Sequence, residues 1–126
     1  MSADENGMAI LAVCAHEFGH IVQYDTRVHD TLSYGQPTVK LVELHADFLA
    51  GYYLGLRQSD QPSLRLFSAG AFIHDLGDNN FTSPTHHGTK EERTAALEGG
   101  YRLGRDATAD IGSAISSGVE FVQQFS

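Results

Sequence analysis

Tryptophan is absent from the chain, cysteine occurs once, proline three times, and Lys and Arg together only 8 times in 126 residues. A single cysteine cannot close an intrachain disulfide, so no oxidised framework holds the fold together. The few basic residues face 16 Asp and Glu, leaving a net charge of −8 at pH 7 and a pI near 5.1. A surface of that sign repels phosphate backbones and anionic headgroups, which argues against nucleic-acid and membrane-surface functions. No apolar run approaches the ~18 residues of a membrane span. The 13 glycines are scattered without a repeat period. What remains suits a folded globular chain: 41% of residues are hydrophobic and 19% charged, and the length fits one domain over residues 1–126.

One apolar stretch, Met8 to Ala15, has the look of an export signal. Asp4 and Glu5 precede it, where such a signal carries basic residues. It reads instead as the first half of a buried helix, and cytoplasmic residence is the expectation that follows.

Apolar residues recur at helical spacing along the chain, which predicts a mainly α fold of about five helices with little or no β-sheet. Helices are expected over roughly 4–24, 37–57, 63–76 and 89–104, with a fifth capped by Asp106 or Thr108. Pro37 suits a first helical turn. Thr89 and Glu92 have the spacing of a capping box. Residues 25–36 read as a polar loop carrying a solvated His29. Ile111, Ile115, Val119 and Val122 form one stripe expected in the core, and Tyr52 and Tyr53 are expected in the core or at an interface.

The chemistry concentrates in His16-Glu17-Phe18-Gly19-His20, an H-E-x-x-H string. On a helix the two histidines lie one turn apart on one face, so both imidazoles reach one metal ion. Glu17 falls about 100° from His16 and about 60° from His20, beside the ion, where a base takes a proton from water. Ile10, Leu11, Cys14, Phe18, Ile21 and Val22 occupy the opposite, core-facing side, with Cys14 a buried thiol. Ala12, Ala15 and Gly19 make a strip for close packing.

Two histidines leave a zinc ion short of a protein ligand. Glu43-Leu44-His45-Ala46-Asp47 supplies one best. Glu43 and Asp47 share a helical face, Glu43 as ligand and Asp47 as the partner that orients a ligand histidine through its second ring nitrogen. Ala46 and Ala50 leave room for a neighbouring helix. His45 points about 160° from Glu43 and is excluded as a ligand.

Together, His16-Glu17-x-x-His20 and Glu43-Leu44-x-Ala46-Asp47-x-x-Ala50-Gly51 resemble the gluzincin metallopeptidases, closest to the bacterial neutral zinc metallopeptidase (YpfJ-like) family, with HtpX and CAAX-protease relatives further off. Ala71-Phe72-Ile73-His74-Asp75-Leu76-Gly77-Asp78 is similar to that family's Ile-Gly-Asp segment, and His87-Gly88-Thr89 with Arg93 is similar to its His-Gly-Ser/Thr…Arg stretch, continued by Gly100-Tyr101. The likeness spans roughly residues 9–104. It implies that a zincin-type helix packs on the Glu-x-x-x-Asp helix. It also implies that His87 donates a hydrogen bond to an oxyanion, with His86, His74 and Tyr24 as alternative donors. Arg93 then either holds the His87 loop or Glu43 in place or is an ordinary surface arginine.

The chain departs from the family at three points. His45 stands where the family has Gln, His74 interrupts the Ile-Gly-Asp segment, and Met1 lies only 15 residues before His16, leaving no room for the upstream strands that bind extended substrate in zincins. The expectation is a fragment or a minimal form.

Two functions follow. One is a zinc peptidase acting on a peptide or protein substrate, with one Zn²⁺ per chain held by His16, His20 and Glu43, and Glu17 as general base. The other is a catalytically silent zinc-stabilised binding or adaptor module. A non-peptidase zinc hydrolase lies between them, and the oligomeric state is left open.

Overall fold

The computed structural model of the chain describes residues 3–57, 88–106 and 110–126, with side chains from residue 10 onward. Five helices and no strand occur among the described residues: α1 (Ala3–Thr26), α2 (Val28–Ser33), α3 (Lys40–Arg57), α4 (Lys90–Arg105) and α5 (Ile111–Val122), closed by a short 3-10 turn at Gln123–Phe125.

Helix α3 is the central element. Thirteen of its 18 residues are buried, because α1, α4 and α5 all pack against it. Helix α1 runs antiparallel to it, since His16 bonds to Asp47 while Gln23 bonds to the Val42 carbonyl. Small residues permit the close crossing: a Cβ on Gly19 would lie 3.3 Å from the Ala46 Cα, and Ala12 packs on Ala50 and Leu54.

Helix α4 runs parallel to α3, with Arg93 level with Asp47 and Gly51 level with Leu97. Here the backbones touch. A side chain at Gly51 would meet the Leu97 carbonyl, and one at Gly100 the Phe48 carbonyl. Leu32, Leu41, Leu44, Leu54 and Leu97 are all 1% exposed or less, each contributing about 1.5–3 kcal/mol by its burial.

The expected capping box is present. The Thr89 hydroxyl accepts from the Glu92 N–H at 3.1 Å, and the Glu92 carboxylate accepts from the Thr89 N–H at 2.9 Å. Other boundaries need correction. The loop expected over residues 25–36 contains α2, which follows directly on α1 because Arg27 takes a left-handed conformation (φ 63°) and turns the chain. His29 therefore lies on a helix, half-buried and stacked on Tyr24 with ring centroids 4.5 Å apart. Helix α3 starts at Lys40, past Pro37, where the Thr38 hydroxyl accepts from the Lys40 N–H at 3.2 Å.

The cap of α5 is Asp110, whose carboxylate accepts from the Ser113 N–H at 2.8 Å. Asp106 instead closes α4. The buried stripe of α5 is Ala114, Gly118 and Val122, whereas Ile111 is 53% exposed. Small α5 residues are needed there because His45 and Phe48 of α3 push against Gly118. The helix expected over 63–76 lies outside the described residues, as does Thr108.

Candidate metal centre

The antiparallel crossing of α1 and α3 brings together the side chains singled out by residue type. His16 Nε2 and Glu43 Oε2 are 2.8 Å apart, His20 Nε2 and Glu43 Oε2 3.1 Å, and the two Nε2 atoms 3.1 Å. Zinc held at ~2.0–2.1 Å from tetrahedral ligands sets them about 3.3 Å apart. The three donors therefore already stand close to the spacing of three corners of such a tetrahedron, and the group can hold a metal ion. His20 and Glu43 keep 20% and 16% of their side chains exposed, so solvent reaches the cluster.

Hydrogen-bond partners fix which ring nitrogens are free. The Asp47 carboxylate accepts from His16 Nδ1–H at 2.8 Å. Arg93 holds that carboxylate with two bonds, Nε–H to Oδ2 at 2.7 Å and Nη2–H to Oδ1 at 2.9 Å, in a pair that is 0% and 4% exposed. Gln23 donates from Nε2 to the Val42 carbonyl at 2.9 Å, which turns its amide oxygen toward His20 Nδ1–H at 2.8 Å. With both Nδ1 atoms protonated, both Nε2 atoms of the neutral rings carry lone pairs. In that neutral state two lone pairs and a carboxylate oxygen converge with no proton between them. Such a point attracts a cation.

The electrostatics agree. Burial alone pushes the His16 imidazolium down, but the hydrogen bonds to Asp47 and Glu43, with their charges, outweigh it and raise it to about 9. The bond to Glu43 likewise raises His20 against the opposing effect of burial. Burial would raise Glu43, yet the two imidazoles hold it well below the usual carboxylate range. Without a metal, a proton is drawn into the position where an ion would sit, so metal and proton compete.

The remaining candidates separate clearly. Glu17 is exposed on α1. Arg93, left open between two roles, is buried and clamps Asp47. His45 is outside the His16–His20–Glu43 group and is instead enclosed in the core, where burial pushes its imidazolium down. Tyr24 is 65% exposed and stacked on His29. His87, His86 and His74 lie outside the described residues.

Cys14 is exposed, contrary to the buried thiol expected. The apolar side of α1 is core-facing only in part: Leu11 and Val22 pack on the core, whereas Ile10 is 64%, Phe18 63% and Ile21 54% exposed. Leu11, Phe18, Val22, Leu49, Tyr53 and Ile111 line an open groove there, on the side of α1 turned away from His16 and His20. Periodicity identifies an apolar face but not whether another element covers it.

Gln23 was not singled out from the sequence. Its place one turn after His20, where its amide meets the Nδ1 of a candidate ligand histidine, was the available signal. Comparison with protein-family models, curated proteins and solved structures gives no match for this chain.

Proposed function

We propose that the protein is a zinc-dependent metallopeptidase of gluzincin type, holding one Zn²⁺ per chain through His16, His20 and Glu43. The observation that carries this reading is the convergence of His16 Nε2, His20 Nε2 and Glu43 Oε2 within hydrogen-bonding distance of one another. Two imidazoles and one carboxylate are a donor set suited to zinc, and three protein ligands leave a fourth position for water or substrate. An ion held there would supply Lewis acidity for polarising a carbonyl and acidifying water. Asp47, fixed by Arg93, orients His16. Glu17 takes a proton from the attacking water and passes it to the leaving amine. His87, by its motif, donates to the developing oxyanion.

The test is metal content together with chelator-sensitive cleavage of casein and a peptide library. Wild type is expected to carry about one zinc and to cleave. Glu17→Gln should keep the zinc and the fold while losing ~10²- to 10⁴-fold in rate, because Gln is nearly isosteric but cannot accept the proton. Full activity in Glu17→Gln would overturn the mechanism.

A second reading has one observation in its favour. Among the described residues no strand flanks α1, so none offers an edge for an extended peptide to join. A zinc-stabilised module without turnover would show one tight zinc and no cleavage. A non-peptidase hydrolase would turn over small esters or amides only.

A further inference from the structure

Resting on the metal reading above, we propose that helix α5 holds His20 in its metal-binding tautomer through a relay of two positioning residues, His45 and Gln23.

The relay has a forced polarity. At its α5 end stands the Ile115 carbonyl, which can only accept, so the His45 nitrogen 3.0 Å away, Nε2, must carry the proton. His45 Nδ1 is then bare in the neutral ring and accepts from Gln23 Nε2 at 2.9 Å. The same Gln23 nitrogen donates to the Val42 carbonyl at 2.9 Å. Both amide hydrogens are thereby committed, and only the amide oxygen is left for His20. That oxygen accepts from His20 Nδ1–H at 2.8 Å, which leaves Nε2 facing His16 and Glu43 as a lone pair. Each step permits one arrangement of protons. Gln23 and His45 are both fully buried, so water does not offer them substitute partners.

His20 needs this support more than His16 does. His16 Nδ1 is held by a carboxylate that an arginine fixes, whereas the partner of His20 Nδ1 is a neutral amide. A neutral histidine side chain in water favours the proton on Nε2, the nitrogen that must stay bare to bind a metal. Gly118 of α5 completes the device. A Cβ there would lie 2.9 Å from His45 Cδ2 and 3.0 Å from His45 Nε2, so the glycine is what lets the imidazole reach the helix.

The experiment compares Gln23→Leu, His45→Leu, His45→Gln and Gly118→Ala with wild type in the full chain. Zinc affinity is measured by competition with a chromophoric chelator. The His20 tautomer is read from long-range ¹H–¹⁵N imidazole correlations in metal-free protein at alkaline pH. Gln23→Leu and His45→Leu are expected to weaken zinc ~10- to 100-fold, as removal of a ligand's hydrogen-bond partner typically does, and to move His20 toward the Nε2–H tautomer. His45→Gln should restore both, because its amide can accept from Gln23 and donate to Ile115. Gly118→Ala should behave like His45→Leu although it lies on another helix.

Unchanged affinity and an unchanged Nδ1–H tautomer in the leucine variants overturn the relay. Should those variants not fold, His45→Gln and Gly118→Ala decide it: a wild-type tautomer in Gly118→Ala overturns it, and loss there with retention in His45→Gln supports it. If wild type takes up no zinc, the metal reading fails separately, while the tautomers of the metal-free proteins still decide for or against the relay.

Discussion

Helix α1 has two unlike sides. Toward α3 it presents His16, His20 and Gln23 among Ala12 and Gly19, all buried or half-buried. On the other side Ile10, Phe18 and Ile21 stand more than half exposed. Ordinary amphipathic helices put the apolar face inward; α1 does so only in part, burying a polar stripe beside Leu11, Ala15 and Val22, which pack on the core. Polar groups can line the interior only when each meets a partner: His16 has Asp47, His20 has Gln23, and Gln23 has Val42 and His45. The inward face is thus specified by a network in which every member depends on another. The outward face carries apolar area that no described element covers.

Breaking the inner network should have the largest effect. Asp47→Ala removes the partner of both His16 and Arg93 and leaves the guanidinium, 4% exposed, without this carboxylate. Losing one member of a buried ion pair costs about 3–5 kcal/mol, and chemical denaturation should show a loss of that size together with weakened zinc. Asp47→Asn, which keeps an acceptor for His16, should lose less of the zinc affinity.

A smaller effect comes from pH. The His16 imidazolium is held up to about 9 in the folded chain against an ordinary 6.5. Its proton therefore stabilises the metal-free fold fully below pH 6.5, and that contribution is lost as the pH rises through 9. Glu43 acts in the opposite sense, its stabilisation being lost as the pH falls below its ordinary 4.5. In chelator the melting temperature should fall between pH 6.5 and 9. With zinc replacing the proton, that fall should disappear. An identical alkaline slope with and without zinc would place the ion elsewhere.

The smallest effect belongs to the outer face. Phe18→Ser and Ile21→Thr should each change stability by no more than about 0.5 kcal/mol, as exposed substitutions do. A loss of several kcal/mol, or one that depends on protein concentration, would mean that another surface covers this face in solution.

Residue types and spacing made the centre legible. A one-turn interval between His16 and His20, and another between Glu43 and Asp47, are properties of a single helix, and the α1–α3 crossing needed only the small residues visible at 12, 19, 46 and 50. The Thr89–Glu92 cap was legible for the same reason, being local. The partners of longer range were not. His45 reaches an α5 carbonyl 70 positions away, and no local pattern encodes that. The six residues of α2 are too few to show periodicity, and its start depends on the backbone turn at Arg27. In α5 the bulky stripe is legible in part: Val122 is buried and Ile115 and Val119 pack on the core, but Ile111 is exposed. The closest contact to α3 is made by Ala114 and Gly118, because His45 and Phe48 already fill the space.

The seam between α3 and α4 has a genetic consequence. Gly51 and Gly100 ligate nothing, yet each faces a backbone carbonyl of the other helix with no room for even a methyl group. Widening that seam would draw Arg93 away from Asp47, and so loosen His16 one link further on. If the proposed metal centre forms, a screen for variants that lose the metal should score these two glycines beside His16, His20 and Glu43. A map of sensitive positions would then extend well along α4, though the chemistry occupies one end of the helix pair.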